Sequence, residues 1–419
     1  MLFIFKRKGS MCMKITQLGI LSHGQFMSAL GDTVFDIAIS YWILEMTGST
    51  TIMATAASAS LVARIIVSFF SGTIVDGVNC KKIVVGSDLI RGFLVLYLFI
   101  TAYIATANVF EYIVVMVLIG AVDSFFKPAI NSSIIDLKED YTVERANAKV
   151  HNAGFLASIL GNGIFSLIFG KISIICFFAI ESVTYFYSAI TEMFLKIPSK
   201  NNCKKESYIH RLKSGYQYVI KNSGFKAFVT FCSLLNLFLS MTNILLLPLV
   251  KENFSVKVYS VSMMFFTAGT ILAMFLTEKG VIKMHDKKTS LITSCLLYTL
   301  FMIVMLFLND KIILCIVFFI CGFLQAIRQV IIISALQLNI NMKYRGITFS
   351  FYSLILNLSK PISYIIGGFM SDCIGVKMVL AIAFSMSIIV VIMFSLLNTT
   401  FIDFIRKENS EEMQVTGSV

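Results

Sequence analysis

Helix-length apolar runs recur along this chain from about residue 20 to residue 397, and no other feature narrows the fold as much. An α-helix of roughly 20 apolar residues spans the hydrocarbon core of a bilayer while satisfying its own backbone hydrogen bonds. The runs lie near 20–45, 51–75, 82–105, 109–130, 147–170, 173–195, 226–249, 258–278, 289–308, 312–335, 346–370 and 375–397, which makes twelve crossings. With 57% of residues apolar and 14% charged, the chain cannot solvate the surface of a soluble fold, which carries about a quarter charged residues. The expected fold class is an all-α integral membrane protein with twelve transmembrane helices.

Basic residues report which side each connection faces. One alternating set holds Lys6, Arg7, Lys8, Lys14, Lys81, Lys82, Lys127, Lys138, Arg145, Lys149, the dense 196–226 stretch, Lys279, Lys283, Lys287, Lys288, Lys343, Arg345, Arg406 and Lys407. The other holds only Lys171, Lys251, Lys257, Lys311 and Lys377. Cytoplasmic connections carry the excess of Lys and Arg, so the first set and both termini are expected in the cytoplasm of a multi-pass cell-membrane protein. One missed helix would scramble this sorting, so the sorting supports the count. The net charge of +12 is likewise spread over short segments that meet anionic lipid headgroups, and nucleic acid is not an expected partner. Lys6, Arg7 and Lys8 precede an apolar run from Gly19 to Met46 that is too long for a secretory signal and lacks a small-residue cleavage site. Met11 and Met13 are alternative starts.

The single long internal connection, 196–225, divides the chain into six runs and six. Within it Ile209, Leu212, Tyr216, Val219 and Ile220 share one helical face, as an amphipathic helix on the membrane surface requires. The expected domains are an N-terminal six-helix bundle over 1–195, a cytoplasmic linker over 196–225, a C-terminal six-helix bundle over 226–397 and a disordered cytoplasmic tail over 398–419. Landmarks repeat between the halves. Arg145 and Arg345 each open the fifth helix of a half, with Gly161 and Pro361 sixteen residues on, and Lys81-Lys82 and Lys287-Lys288 each fill the turn between second and third helices. Parallel halves around one cavity would produce such a repeat.

Ionisable residues at membrane depth cost about 3 kcal/mol or more unless paired or hydrated, so they mark function or interhelical pairing. Asp32 and Asp36 lie one turn apart on the first helix, with Arg64 near the same depth on the second. Two readings stand: one aspartate binds a proton with a cation nearby, or an Asp–Arg64 pair locks the first two helices. Asp123, Arg328 and Lys360 are candidate cavity or interhelical polar residues. Asp76 closes the second helix, where the helix dipole disfavours an acid and calls for a partner from elsewhere, and Gly72, one turn earlier, leaves room for one. The nine cysteines are scattered without CxxC or ligand spacing, so neither disulfides nor a metal site is expected. No phosphate-binding loop for ATP is present and no nucleophile–base arrangement is evident, so the chain is read as neither an ATPase nor an enzyme, and no cofactor is expected.

The turn Gly72, Asp76, Lys81 and Lys82 resembles the loop signature of the major facilitator superfamily. Further landmarks resemble its drug-efflux branch, the macrolide-efflux permeases: Gly24-Gln25-Phe26, Ser28 and Leu30-Gly31-Asp32 in the first helix, Gly86-Ser87-Asp88-Leu89-Ile90 in the third, Pro128-Ala129, Arg145-Ala146-Asn147-Ala148, Arg345-Gly346, and Gly367-Gly368-Phe369-Met370-Ser371-Asp372. The chain departs from the pattern where Gly77 follows the loop aspartate, where Ile119 stands near the place of a fourth-helix basic residue, and where Gly161-Asn162-Gly163 replaces a proline-containing fifth-helix motif.

The resemblance implies the major facilitator fold, two six-helix bundles that rock about a central cavity, with Gly72, Asp76, Lys81 and Lys82 as a cytoplasmic gate. It implies export of a small amphipathic drug or antibiotic in exchange for protons, and hence antibiotic resistance; Asp32, Asp36 and Arg64, marked by their depth, are the proton-coupling candidates, and a monomer is expected. Export of a siderophore, peptide or lipid-like metabolite is the alternative, and a non-transporting membrane sensor or enzyme a more distant one.

Overall fold

The computed structural model describes residues 16–104, 106, 108–136, 143–196, 222–282, 286–340 and 345–406. The amphipathic segment expected within 196–225 lies outside the described residues, apart from its ends. The described residues form thirteen α-helices: α1 Gln17–Thr47, α2 Thr50–Gly77, α3 Cys80–Tyr103, α4 Val109–Asp136, α5 Val143–Ile168, α6 Cys176–Glu192, α7 Ser223–Asn253, α8 Val256–Glu278, α9 Lys287–Met305, α10 Lys311–Asn339, α11 Arg345–Ile374, α12 Val376–Leu397 and α13 Thr399–Arg406. Each of the twelve runs read from the sequence falls on one helix of α1–α12. Nine of the described helices are long and apolar enough to cross a membrane on those grounds alone. The 17-residue α6, with Glu181 and Glu192, is one that does not qualify.

Polar residues between the runs set where helices begin. The side chains of Thr16, Asn79, Asn222, Ser255, Asp286 and Asp310 each accept a hydrogen bond from a backbone N–H of the first turn that follows. These caps satisfy donors that a helix start otherwise leaves open.

The helices gather into two compact units, Met1–Gly48 with Ala59–Cys203, and Ser49–Ser58 with Lys204–Val419. In the first unit α1 lies against α5 and α6, and α3 against α4 and α6. In the second, α7 packs on α11, α12 and α13, and α10 on α8 and α9. The start of α2 belongs to the second unit. There Asp372, in the last turn of α11, accepts from Ser49 Oγ at 2.6 Å and from the backbone N–H groups of Thr50 at 2.9 Å and Thr51 at 3.0 Å. A carboxylate at a helix N-terminus satisfies open donors and meets the positive end of the dipole. Partial burial works against the charge, but the bonds from Ser49, Thr50 and Thr51 outweigh it and hold the Asp372 carboxyl well below the usual carboxylate range.

One expectation fails at the C-terminus. The tail from Asn398 was expected to be disordered, yet α13 folds back with Phe401, Phe404 and Ile405 all buried. Phe401 lies 4.6 Å from the Phe231 ring and 5.6 Å from that of Phe394, and Phe404 lies 5.0 Å from Phe228. Spacing of three and four residues puts these side chains on one face, and their burial outweighs the polarity of the flanking sequence.

Candidate functional site

Inside the first unit, α4 comes against α2 where Gly120 leaves no room for a Cβ beside Ser60. One turn further along both helices, Arg64 of α2 meets Asp123 of α4, with Arg64 Nη2 donating to Asp123 Oδ2 at 2.6 Å. Arg91 of α3 donates to the other oxygen, Oδ1, at 2.9 Å and also to Asp88 one turn back on its own helix. Asp123 thus joins two arginines from two helices, and Arg91 joins two acids. The Arg91 guanidinium lies 4.1 Å from the ring centre of Phe126 and 4.5 Å from that of Tyr185. Its charge is therefore met by two carboxylates and by the faces of two aromatic rings.

Asp32 and Asp36 stand apart from these ion pairs. Tyr185 Oη of α6 donates to Asp32 Oδ1 at 2.6 Å, and Asp36 makes no ion pair among the described residues. Of the two readings, the pair of Asp32 or Asp36 with Arg64 between the first two helices is not formed among the described residues. The close approach at Gly120 delivers Asp123 to Arg64 first.

A cavity of about 520 Å³ opens beside the network, with Asp32, Asp36, Arg64, Arg91, Asp123, Lys127 and Tyr185 in its wall and Phe35, Met116, Ile119, Phe126 and Ile130 as its apolar part. The structure therefore gathers four sequence candidates, Asp32, Asp36, Arg64 and Asp123, around one space. Polar groups converging beside apolar side chains in one concave site are what a small-molecule site requires.

The other candidates lie elsewhere. Arg328 of α10 sits in the second unit with its guanidinium 5.0 Å from the Tyr298 ring centre. Lys360 is half-buried on α11. Gly72 and Asp76 fall in the last two turns of α2, and their side chains are outside the described residues. Asn79 caps α3 through Lys81 N, and Lys82 is exposed in the first turn.

The sequence reading missed Arg91, Glu181, Tyr185 and Glu192, all buried. Thr184 Oγ1 donates to Glu181 Oε2 at 3.1 Å and Gln25 Nε2 to Glu192 Oε1 at 3.3 Å. The first helix makes room for both acids. A Cβ on Gly24 would lie 2.9 Å from Glu192, and one on Gly31 would overlap Glu181 and Thr184. Glycines seven residues apart on α1 thus seat acids eleven residues apart on α6.

Twelve apolar helices in two units, with charge held around an internal cavity, define a polytopic membrane protein built to handle a solute. The sequence pattern described as Major Facilitator Superfamily matches residues 21–359 and, separately, 227–411. The chain belongs to that superfamily and is a membrane transporter, not an enzyme. Macrolide efflux protein A of Streptococcus pyogenes is 22% identical over 363 residues, covering 84% of this chain and 89% of that protein. Among solved structures, the nucleoside transporter NupG superposes with a TM-score of 0.74 at 14% identity, covering 94% of this chain and 100% of that one. A bacterial homolog of the human lysosomal transporter Spinster gives 0.72 at 13% identity, covering 96% and 100%. At such identities the likeness is one of fold.

Proposed function

We propose that the protein is a secondary active exporter of a small amphipathic molecule, a drug or antibiotic of macrolide-like character, that it exchanges for protons by alternating access. The observation that carries this reading is the position of Asp32 and Asp36. Both open on the cavity of the first unit without an ion pair among the described residues, while Arg64 and Arg91 are already engaged by Asp123 and Asp88. An acid so placed can take a proton when solute leaves and lose it when solute enters. The macrolide efflux relative, alike over most of both chains, favours export of a macrolide-like solute. The alternation of basic connections favours cytoplasmic termini in the cell membrane, and the protein is taken to work as a monomer. On this reading Gly72, Asp76, Lys81 and Lys82 form the cytoplasmic gate, and Arg328 and Lys360 offer polar contacts in the second unit.

The test uses the purified protein in proteoliposomes with a labelled macrolide and an imposed proton gradient. Wild type accumulates the label against its gradient. Asp32→Asn or Asp36→Asn, but not both equally, abolishes that uphill transport and keeps downhill counterflow. Full proton-driven transport in both variants would make these acids structural.

A further inference from the structure

One face of α6 presents Glu181, Tyr185, Ser188 and Glu192 at positions i, i+4, i+7 and i+11, against α1 and α3. Along that face the carboxyls pair twice. Glu181 lies within hydrogen-bonding reach of Asp32 on α1, and Glu192 within reach of Asp88 on α3. In both places a donor is missing. Among the described residues Glu181 Oε1, Glu192 Oε2 and Asp88 Oδ2 are buried and accept no hydrogen bond, and all three residues are 0% exposed. Two carboxylates within reach of each other and short of donors favour a proton between them, because ionising both at that distance is costly. The missing donor at each pair is that proton.

The two pairs differ in access. Asp32 and its Tyr185 partner are in the cavity wall. Neither Asp88 nor Glu192 is, and Arg91 fixes Asp88 from the other side.

We infer that the exchangeable proton of this transporter is held jointly by the carboxyls of Asp32 and Glu181, whereas the Asp88–Glu192 pair keeps its proton throughout the cycle. This rests on the proton-exchange reading and adds Glu181, on a helix that does not line the cavity through that residue, as the second half of the carrier. The step balances. One proton enters from the cavity and converts two contacting carboxylates into a hydrogen-bonded pair of net charge −1, and the same proton leaves to the cavity when solute binds. The charged groups facing the carrier are Asp36 beside it on α1, Asp88 and Arg91 from α3, and Asp123 and Lys127 from α4. Gly31 is what lets Glu181 reach Asp32's helix, so the carrier is built into the α1–α6 packing.

The experiment compares Glu181→Gln with Glu192→Gln in proteoliposomes. Each glutamine copies the neutral, hydrogen-bonding form of its acid, so both variants are expected to fold, and counterflow of the labelled macrolide checks that they do. Glu181→Gln should lose at least tenfold of proton-driven uptake, keep counterflow and lose its pH dependence. Infrared difference spectra between alkaline and acid pH should lose the protonated-carboxyl band in the same variant. Glu192→Gln should keep proton-driven uptake and that band. Wild-type uptake and an intact pH profile in Glu181→Gln, or loss of coupling in Glu192→Gln alone, overturns the assignment. If wild type itself shows counterflow without proton-driven uptake, the exchange reading fails instead. The infrared band then decides separately whether Asp32 and Glu181 share a proton.

Discussion

The interiors of the two units are held together by different forces. The first unit buries or half-buries Asp32, Asp88, Asp123, Glu181 and Glu192 and turns Asp36 to the cavity, against Arg64, Arg91 and the cavity-lining Lys127. Among the described residues of the second, Glu252, Glu278, Asp286, Asp310 and Asp372 cap or close helices and Asp403 lies in the short α13, while Arg328 and Lys360 stand at depth. The same backbone device underlies both. Gly120 admits α4 to α2 in the first unit as Gly322 admits α10 to α8 in the second, where a Cβ would overlap Phe266 O. Three residues past that glycine stands Asp123 in one unit and Gln325 in the other. One packing solution therefore carries a charge network in one half and an uncharged contact in the other. Charge in this protein is a specialisation of the first unit, not a requirement of the fold.

The largest effect that sharpens this contrast is expected at Arg91. Replacing it with Met leaves Asp88 and half of Asp123 without a cation, in a site where the Arg91 side chain is only 3% exposed. Breaking a buried pair from one side costs about 3–5 kcal/mol. Arg91→Met should therefore lower the apparent melting temperature in detergent severely, or abolish expression. Arg328→Met, which removes a stacked arginine with no ion pair among the described residues, should stay within about 1 kcal/mol of wild type. Equal losses in the two variants would break the contrast.

How much of this was legible in the sequence depends on what fixes each feature. The crossings were legible because bilayer thickness sets the length of each run, and Asp32, Asp36, Arg64 and Asp123 because an ionisable residue stands out in an apolar run. Partnership was not. Arg64 could have met an acid on any neighbouring helix, and the choice of Asp123 is made by Gly120 and Ser60, whose proximity the sequence does not display. Arg91 follows Asp88 at i+3, a spacing that marks a same-face pair, and Glu181 and Glu192 lie in the sixth run, so a scan for charges in every run would have found all three. What they contact would still have been missing. The α13 helix was misjudged because the acidic residues beyond it, Glu408, Glu411 and Glu412, masked the spacing of Phe401, Phe404 and Ile405.

A second prediction tests the aromatic half of the comparison. Phe401 is 0% exposed and packs on Phe231 and Phe394 of two other helices. Phe401→Ala should cost about 3 kcal/mol, at the low end for a buried phenylalanine because a chain-end helix can partly relax into the space. Limited proteolysis should then release the α13 segment before any cut within α7 or α12. Unchanged protection would mean that α13 is held by contacts other than this cluster.

The smallest expected effect belongs to Asp372, an acid of the second unit held by donors from Ser49, Thr50 and Thr51. Its carboxyl accepts from Ser49 and from the N–H groups of Thr50 and Thr51, and those bonds hold its folded-state affinity for a proton well below that of an ordinary aspartate. A group depressed in the folded state contributes stability above its unfolded pKa and loses it as pH falls. The contribution should therefore be constant at neutral pH and decline only below about pH 4, the range where an unperturbed aspartate begins to protonate. Asp372→Ala removes a helix cap and should cost about 1 kcal/mol at pH 7. Asp372→Asn keeps one acceptor for Thr50 or Thr51 and should cost less. Acid melting curves decide the matter: wild type and Asp372→Ala should converge as pH drops through this window, since protonation removes in wild type what the substitution has already removed. Because the folded-state pKa lies so low, part of the gap remains at pH 3; a gap that does not narrow at all between pH 7 and pH 3 would show that Asp372 does not act through its charge.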